Sequence, residues 1–261
     1  MSNTPVLVSN TIATSTGEQK KCHTNPLVSC GDCRLNAICL PISLQVADLD
    51  KLDNIIQRGR PLQRGEYLYR SGDPFQSVYA VRSGAMKALH ITNDGQEQVT
   101  GFYLPGEVLG MDGIAQNRYI NSAIALETSA VCEIPFSQLE NLSLQLPTLQ
   151  RHFFQLMSRE ITSDQQLITL LSKNSADERI SSLLLSISTR NHHRHLSATS
   201  FQLPMSRADI GNYLGLTIET VSRVLGRLQK SSLIRVDKKE IEILDMASLK
   251  KVANVEFYCD N

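Results

Sequence analysis

The sequence predicts an α+β chain with an N-terminal jelly-roll-like β-roll, a long dimerisation helix and a C-terminal winged helix-turn-helix. Three observations carry this. Short β-type runs broken by glycines fill residues 62–136, apolar residues at helical spacing follow Pro147, and Ser206–Arg223 reads as two short helices around a glycine turn. At 261 residues, with 41% hydrophobic composition, the chain is long enough for two modest cores.

The β-roll comes first. Tyr67–Tyr69, Val78–Val81, Met86–Ile91, Val99–Leu104, Ser122–Leu126 and Ala130–Ile134 read as short β-type runs broken by turn residues. Gly65, Gly72, Gly84, Gly95, Gly106 and Gly113 separate them at the spacing of a small barrel or jelly roll. Asn93-Asp94-Gly95 is the clearest hairpin signal among them.

After Pro147 the period changes. Phe154, Met157, Ile161, Asp164, Ile168 and Leu171 follow alternating intervals of three and four, the register of a coiled-coil seam. A second strip, Phe153, Leu156, Leu167 and Leu170, is suited to packing on the β-roll. Asp164 interrupts an otherwise apolar seam. In a parallel symmetric dimer it would face its own copy, and two buried carboxylates repel. Either the register slips by one position and Asp164 is solvated, or the seam is weak and dimerisation depends on help from a metal site elsewhere in the chain. A further helix is expected over 174–190, then a polar loop over Asn191–Ser200, whose His192, His193 and His195 read as solvated.

The reader follows. Ser206 suits an N-cap for a helix over 207–214 with Ile210 and Leu214 inward, Gly215 suits a left-handed turn, and Thr217 caps a second helix over 218–230. At about 100° per residue, Ile218, Val221, Val224, Leu225 and Leu228 fall on one side. Glu219, Ser222, Arg223, Arg227 and Lys230 fall on the other. Arg223 can bridge guanine O6 and N7, Glu219 can accept from cytosine N4, and Ser222 can serve either way. Arg227 and Lys230 suit phosphate. Strands at 234–236 and 241–244 would form the wing. The charge distribution agrees: the total is zero, but residues 173–235 hold nine Lys/Arg against four Asp/Glu.

Three cysteines lie within ten residues, Cys30-x2-Cys33-x5-Cys39, followed by Pro41. Reduced thiolates so close together capture a soft metal or an iron–sulfur cluster. No leader or apolar span of membrane length is visible, so a reducing cytoplasmic setting and free thiols are expected. A fourth ligand would have to be Cys22, His23 or a distant residue such as Cys132 or Cys259. On spacing alone, zinc and iron–sulfur stand level, with a non-ligating role as a third reading. The boundaries expected are a disordered tail (1–21), a cysteine segment (22–41), the β-roll (42–146), the dimerisation helix (147–173), the winged helix-turn-helix (174–250) and a C-terminal tail (251–261).

Cys30-x2-Cys33-x5-Cys39-x-Pro41, Glu127–Phe136 around Cys132, and Ile210–Arg223 closely resemble the fumarate–nitrate reduction regulator (FNR/Anr) group of the cyclic-AMP receptor protein family. The resemblance runs from about Cys30 to Leu244. It implies a cyclic-nucleotide-binding-type β-roll and a [4Fe–4S] cluster on Cys30, Cys33, Cys39 and Cys132. It further implies an oxygen-responsive homodimer and recognition of TTGAT…ATCAA repeats through Glu219, Ser222 and Arg223. An activator or repressor of anaerobic metabolism that touches RNA polymerase follows from the same likeness. Cys22 stands eight residues before Cys30, farther than the group's spare cysteine, and Cys259 has no counterpart role.

A cyclic-nucleotide-responsive regulator is disfavoured by Asn121-Ser122-Ala123, where that family's phosphate cassette ends in Arg-Ser-Ala. Asparagine lacks the charged fork a cyclic phosphate needs. An enzyme is disfavoured too: His90 is the only histidine between residues 24 and 151, and no nucleophile–base set or phosphate loop is present. A zinc-stabilised regulator is the remaining rival.

Overall fold

A computed structural model describes residues 29–92 and 94–254. The expected disordered tail, Cys22, Cys259, Asn93 of the hairpin and residues 255–261 lie outside them. In chain order the elements are α1 (Val46–Ile55), β1 (Gln57–Arg58), β2 (Tyr67–Tyr69), β3 (Ser77–Ser83), β4 (Met86–Ile91), β5 (Glu97–Tyr103), β6 (Val108–Leu109), β7 (Ser122–Ala125), β8 (Ala130–Pro135), α2 (Phe136–Gln145) and α3 (Pro147–Lys173). There follow α4 (Ala176–His193), β9 (Ser200–Gln202), α5 (Arg207–Leu214), α6 (Ile218–Lys230), β10 (Ile234–Asp237), β11 (Glu240–Ile243) and α7 (Met246–Ala253).

Two antiparallel four-stranded sheets, β1-β8-β3-β6 and β2-β7-β4-β5, form the β-roll. The sequence-read strands stand within a residue or two of their expected ends, and β4 pairs with β5 through the turn at Gly95. Tyr69, Tyr79, Val81, Met86, Leu109, Tyr119, Ala123 and Ala125 fill one shared core. Within it the Tyr69 and Tyr119 rings stack at 3.9 Å.

A second core lies beside β3 and β8. Leu40, in a 3-10 turn right after Cys39, is buried with Leu52 of α1, Leu139 of α2, and Leu149 and Phe153 of α3. This cluster joins the cysteine segment to the long helix. Neither α1 nor α2 carries a periodic run long enough to be read from sequence; each spans ten residues and buries one or two apolar positions.

The C-terminal third corrects the sequence reading in three places. Helix α4 continues to His193, so His192 and His193 lie in its last turn and not in a loop. The expected loop ends in strand β9, which pairs with β11 to give a three-stranded wing sheet, β10-β11-β9. Helix α7 closes the chain over the same core, with Leu249 and Ala253 fully buried.

This third is clamped to the β-roll. Strand β5 is a sheet edge, and its outward groups meet the carboxamide of Asn212 in α5. Val99 N–H donates to Asn212 Oδ1, and Asn212 Nδ2 donates to the Glu97 carbonyl at 2.6 Å. The side chain thus continues the ladder as one more residue of strand would. Lys87 Nζ adds an ion pair to Asp209 at 2.6 Å, and Arg190 Nε donates to Glu107 Oε1 at 2.7 Å. Phe102 and Leu104 of the β-roll share one core with Ile180, Ile210 and Leu214. Asn212→Leu leaves the edge groups unpaired, so a loss of about 1–3 kcal/mol is expected. Urea unfolding measures it; an unmoved midpoint would mean the clamp contributes nothing.

Candidate metal centre and nucleic-acid interface

Successive turns carry the first three cysteines. Cys33 N–H donates to the Cys30 carbonyl, Asn36 N–H to Cys33, and Cys39 N–H to Leu35 at 2.9 Å. Cys132 comes from the middle of β8, opposite Ala80 of β3 on one side and Arg58 of β1 on the other. All four line one cavity, walled by apolar Leu35, Leu40, Ile56 and Ile134, with Arg82 at its side. All four are free thiols; Cys30 is buried and the other three are half-buried. Among the described residues, no three His, Cys, Asp or Glu side chains gather tightly enough to hold a single metal ion.

Burial pushes the Cys30 thiol up to about 12, with Asp53 adding to the rise and Arg58 opposing it. Burial does the same to Cys39, also to about 12. Cys132 is raised by burial against the pull of Arg58 and Arg82. Such thiols keep their protons until positive charge arrives, and a bound cationic core displaces them. Four soft donors in an apolar, arginine-flanked setting fit a thiolate-held iron–sulfur group. Asp53 and Arg58 belong to this site as well. Nothing in the local sequence announced them, because their relation to Cys30 arises from packing of the cysteine turn against the end of α1 and the start of β1, across 23 and 28 residues.

The reader is built from its caps. Ser206 Oγ accepts from Asp209 N–H at 3.1 Å while Asp209 accepts from Ser206 N–H at 2.9 Å, a closed capping box. Gly215 ends α5 at φ 64°, a left-handed position that favours glycine. A Cβ on Gly211 would lie 2.6 Å from the Leu216 carbonyl, so the turn can close only over glycine. Thr217 caps α6 by accepting from Thr220 N–H. Val221, Val224, Leu225 and Leu228 are buried as expected, but Ile218 is 50% exposed. It lies in the first helical turn at the edge of the apolar strip, where the wheel leaves it beside the exposed face.

Glu219 and Arg223 stand exposed on that face and Ser222 is half-buried. The Glu219 carboxyl is held below its ordinary value by its own backbone amide at the helix start and by the Thr217 hydroxyl, so it is an ionised acceptor. Arg207 of α5, which the sequence reading passed over, donates to Ser222 Oγ at 3.0 Å. Arg227 pairs with Asp177 of α4 at 2.6 Å, and Lys230 is exposed. Arg179 fastens the reader to the long helix: its guanidinium donates to the carbonyls of Leu171, Asn174 and Leu214 at 2.7–2.9 Å.

Along α3, Phe154, Ile161 and Ile168 are 57%, 59% and 66% exposed, seven residues apart. A stripe of large apolar groups left in water at heptad spacing calls for a partner helix. Asp164 is exposed on this helix; Met157 and Leu171 are half-buried, Met157 against its own chain's second core. Phe153 and Leu156 pack inward on that core, and Leu170 on the one that joins β5 to the reader.

Where a cyclic phosphate would need a cationic fork, the chain has closed the position on itself. The Ile120 and Asn121 amides both donate to Asp112 Oδ2, at 3.2 and 2.8 Å. Next to it the tyrosine stack fills the roll interior.

Family profiles match two segments: a cyclic nucleotide-binding domain over residues 59–145 and a Crp-like helix-turn-helix domain over 178–252. The chain is 55% identical over 228 residues to the transcriptional activator protein Anr of Pseudomonas aeruginosa, covering 87% of this chain and 93% of that one. It is 46% identical over 226 residues to the fumarate and nitrate reduction regulatory protein of Escherichia coli, covering 87% and 90%. Among solved structures it is similar to FixK2 from Bradyrhizobium japonicum, with TM-score 0.71 and 28% identity over 77% of this chain and 98% of that one.

Proposed function

This chain belongs to the fumarate and nitrate reduction (FNR/Anr-type) group of the Crp family, and on that premise we propose that it senses oxygen through a [4Fe–4S] cluster held by Cys30, Cys33, Cys39 and Cys132. It is a DNA-binding transcription regulator and not an enzyme. The proposed active form is a cytoplasmic homodimer on inverted TTGAT…ATCAA repeats. There it controls genes of anaerobic metabolism, as activator or repressor, in contact with RNA polymerase; oxygen releases the dimer. No helix among the described residues is long and apolar enough to cross a membrane.

The observation that carries the reading is the convergence of four cysteines from two distant segments on one cavity. When bound, the cluster supplies iron–thiolate bonds joining those segments, together with sensitivity to oxygen. The chain's own residues do the rest. Leu40, adjacent to Cys39, is locked against Leu149 and Phe153, so a restraint on the cysteine segment reaches α3 from one side. On α3, Phe154, Ile161 and Ile168 stand ready for a second copy. Arg179 ties the reader to the end of α3, so pairing the helices sets the separation of the two readers. Each 1.4 kcal/mol gained or lost at the seam changes dimer affinity about tenfold, which makes a weak seam a sensitive one.

Asp164 supports that reading from the opposite direction. Although the side chain is exposed, partial desolvation by its own chain already raises its carboxyl, and a partner helix would desolvate it further beside its own copy. Asp164→Ala is therefore expected to tighten the cluster-free dimer by about tenfold or more. Sedimentation equilibrium in air measures this, and an unchanged monomer–dimer balance would remove Asp164 from the switch.

The whole reading is tested by purifying the protein without oxygen. A brown sample with acid-labile sulfide supports it. A colourless sample containing zinc establishes the zinc-stabilised rival instead.

A further inference from the structure

We infer that Asp53 and Arg58 form a counter-charge pair beside the cysteine cavity, with Arg58 positioning Cys30 and setting the potential of what the four sulfurs hold. The inference rests on the cluster reading above. Arg58 lies directly across the ladder from Cys132 in β1. Its Nη2 donates to Asp53 Oδ1 and approaches Cys30 Sγ at 3.9 Å. The same Asp53 oxygen accepts the Cys30 backbone N–H at 2.8 Å. One guanidinium therefore touches the first cysteine and stands opposite the last, which come from segments about a hundred residues apart.

The pair is not a surface ornament. The Arg58 side chain is only 12% exposed, and its Nε is buried without a hydrogen-bond partner. A buried donor left without a partner is unfavourable, so the group is retained against a penalty. Four thiolates around a small cationic core carry net negative charge, and burying that charge among leucines and isoleucines is unfavourable without a nearby cation. Arg58 supplies one, and Arg82 lines the cavity from β3. Asp53 fixes the guanidinium in place and partly offsets its field. Outer partners of this kind commonly change metal retention by about 10- to 100-fold.

Two opposite consequences follow. Removing the Arg58 charge makes the site more negative and electron addition harder, which lowers the reduction potential. Neutralising Asp53 leaves the Arg58 charge uncompensated and raises it. A merely structural role would move both variants the same way.

The test uses full-length protein reconstituted anaerobically with iron and sulfide: wild type, Arg58→Met, Arg58→Lys and Asp53→Asn. Redox titration gives the potential, and the decay of visible absorbance in air-saturated buffer gives retention. Arg58→Met is expected to have a lower potential and to lose absorbance about tenfold faster. Arg58→Lys is expected to recover most of both, and Asp53→Asn to shift the potential upward. Should Arg58→Met fail to fold, Arg58→Gln makes the same comparison while keeping a hydrogen-bond donor. Shifts in the same direction, or none, overturn the inference and leave the cluster reading standing. Wild-type protein without acid-labile sulfide overturns both.

Discussion

Cys132→Ala, prepared without oxygen, is expected to be monomeric and to bind a TTGAT…ATCAA duplex about a thousandfold more weakly than wild type, at the level of non-specific association. The argument runs from position. Cys132 is the only one of the four cysteines that comes from the β-roll; the other three share one short segment. Without it the cysteine segment has no sulfur tie across the cavity, and nothing loads the Leu40 contact on α3. Alanine fits strand β8 at this half-buried position, so thermal unfolding of the cluster-free protein is expected to change little. Anaerobic fluorescence anisotropy and sedimentation measure the two effects. Unchanged operator affinity in this variant, or in one with all four cysteines replaced by serine, would end the cluster reading. Cys22→Ser serves as the control and is expected to bind like wild type.

The second large effect divides the recognition helix into two kinds of contact. Arg223→Ala is expected to weaken operator binding by about 1–3 kcal/mol per half-site and to relax discrimination at one guanine position, because a bidentate base contact is lost. Arg227→Gln is expected to weaken binding to all sequences alike and to reduce the salt dependence by about one unit per half-site. The structure adds a condition to the second case. Arg227 is already paired with Asp177 at 2.6 Å, so it must exchange a carboxylate for a phosphate when DNA arrives. Asp177→Asn therefore frees the cation and is expected to tighten non-specific binding. Binding isotherms at several salt concentrations, on matched and mutated operators, separate these outcomes. If Arg223→Ala lowered affinity equally for every sequence, Arg223 would be a phosphate contact and the base reading would fall.

The cyclic-nucleotide alternative lost ground at two levels. Asn121 in place of arginine was visible in the sequence. That Asp112 takes the amides of Ile120 and Asn121, and that Tyr69 and Tyr119 stack in the roll, was not. These groups are brought together by sheet closure. The match to a cyclic nucleotide-binding domain describes the architecture of residues 59–145.

What could be read directly from the sequence was local. Caps at Ser206 and Thr217, the left-handed Gly215 and the seven-residue recurrence of Phe154, Ile161 and Ile168 all depend on neighbours within one or two turns. In such cases side-chain chemistry dictates backbone geometry at short range. The same rules misplaced Ile218, because a wheel assigns a direction but cannot say where the partner surface stops. They also missed β9, whose strand character comes from pairing with β11 and not from its own composition.

The residues by themselves determined that three thiols lie within ten positions and that a two-helix reader follows a long amphipathic helix. Only the tertiary structure decided which distant cysteine lines the same cavity, that Asp53 and Arg58 stand beside it, and that Asn212 completes the β5 edge. The reason is physical. Spacing along a chain fixes contacts across a turn, whereas contacts across 23 to 115 residues are set by strand register and by which faces are buried together. One step of register would turn every side chain of β8, Cys132 included, to the opposite face.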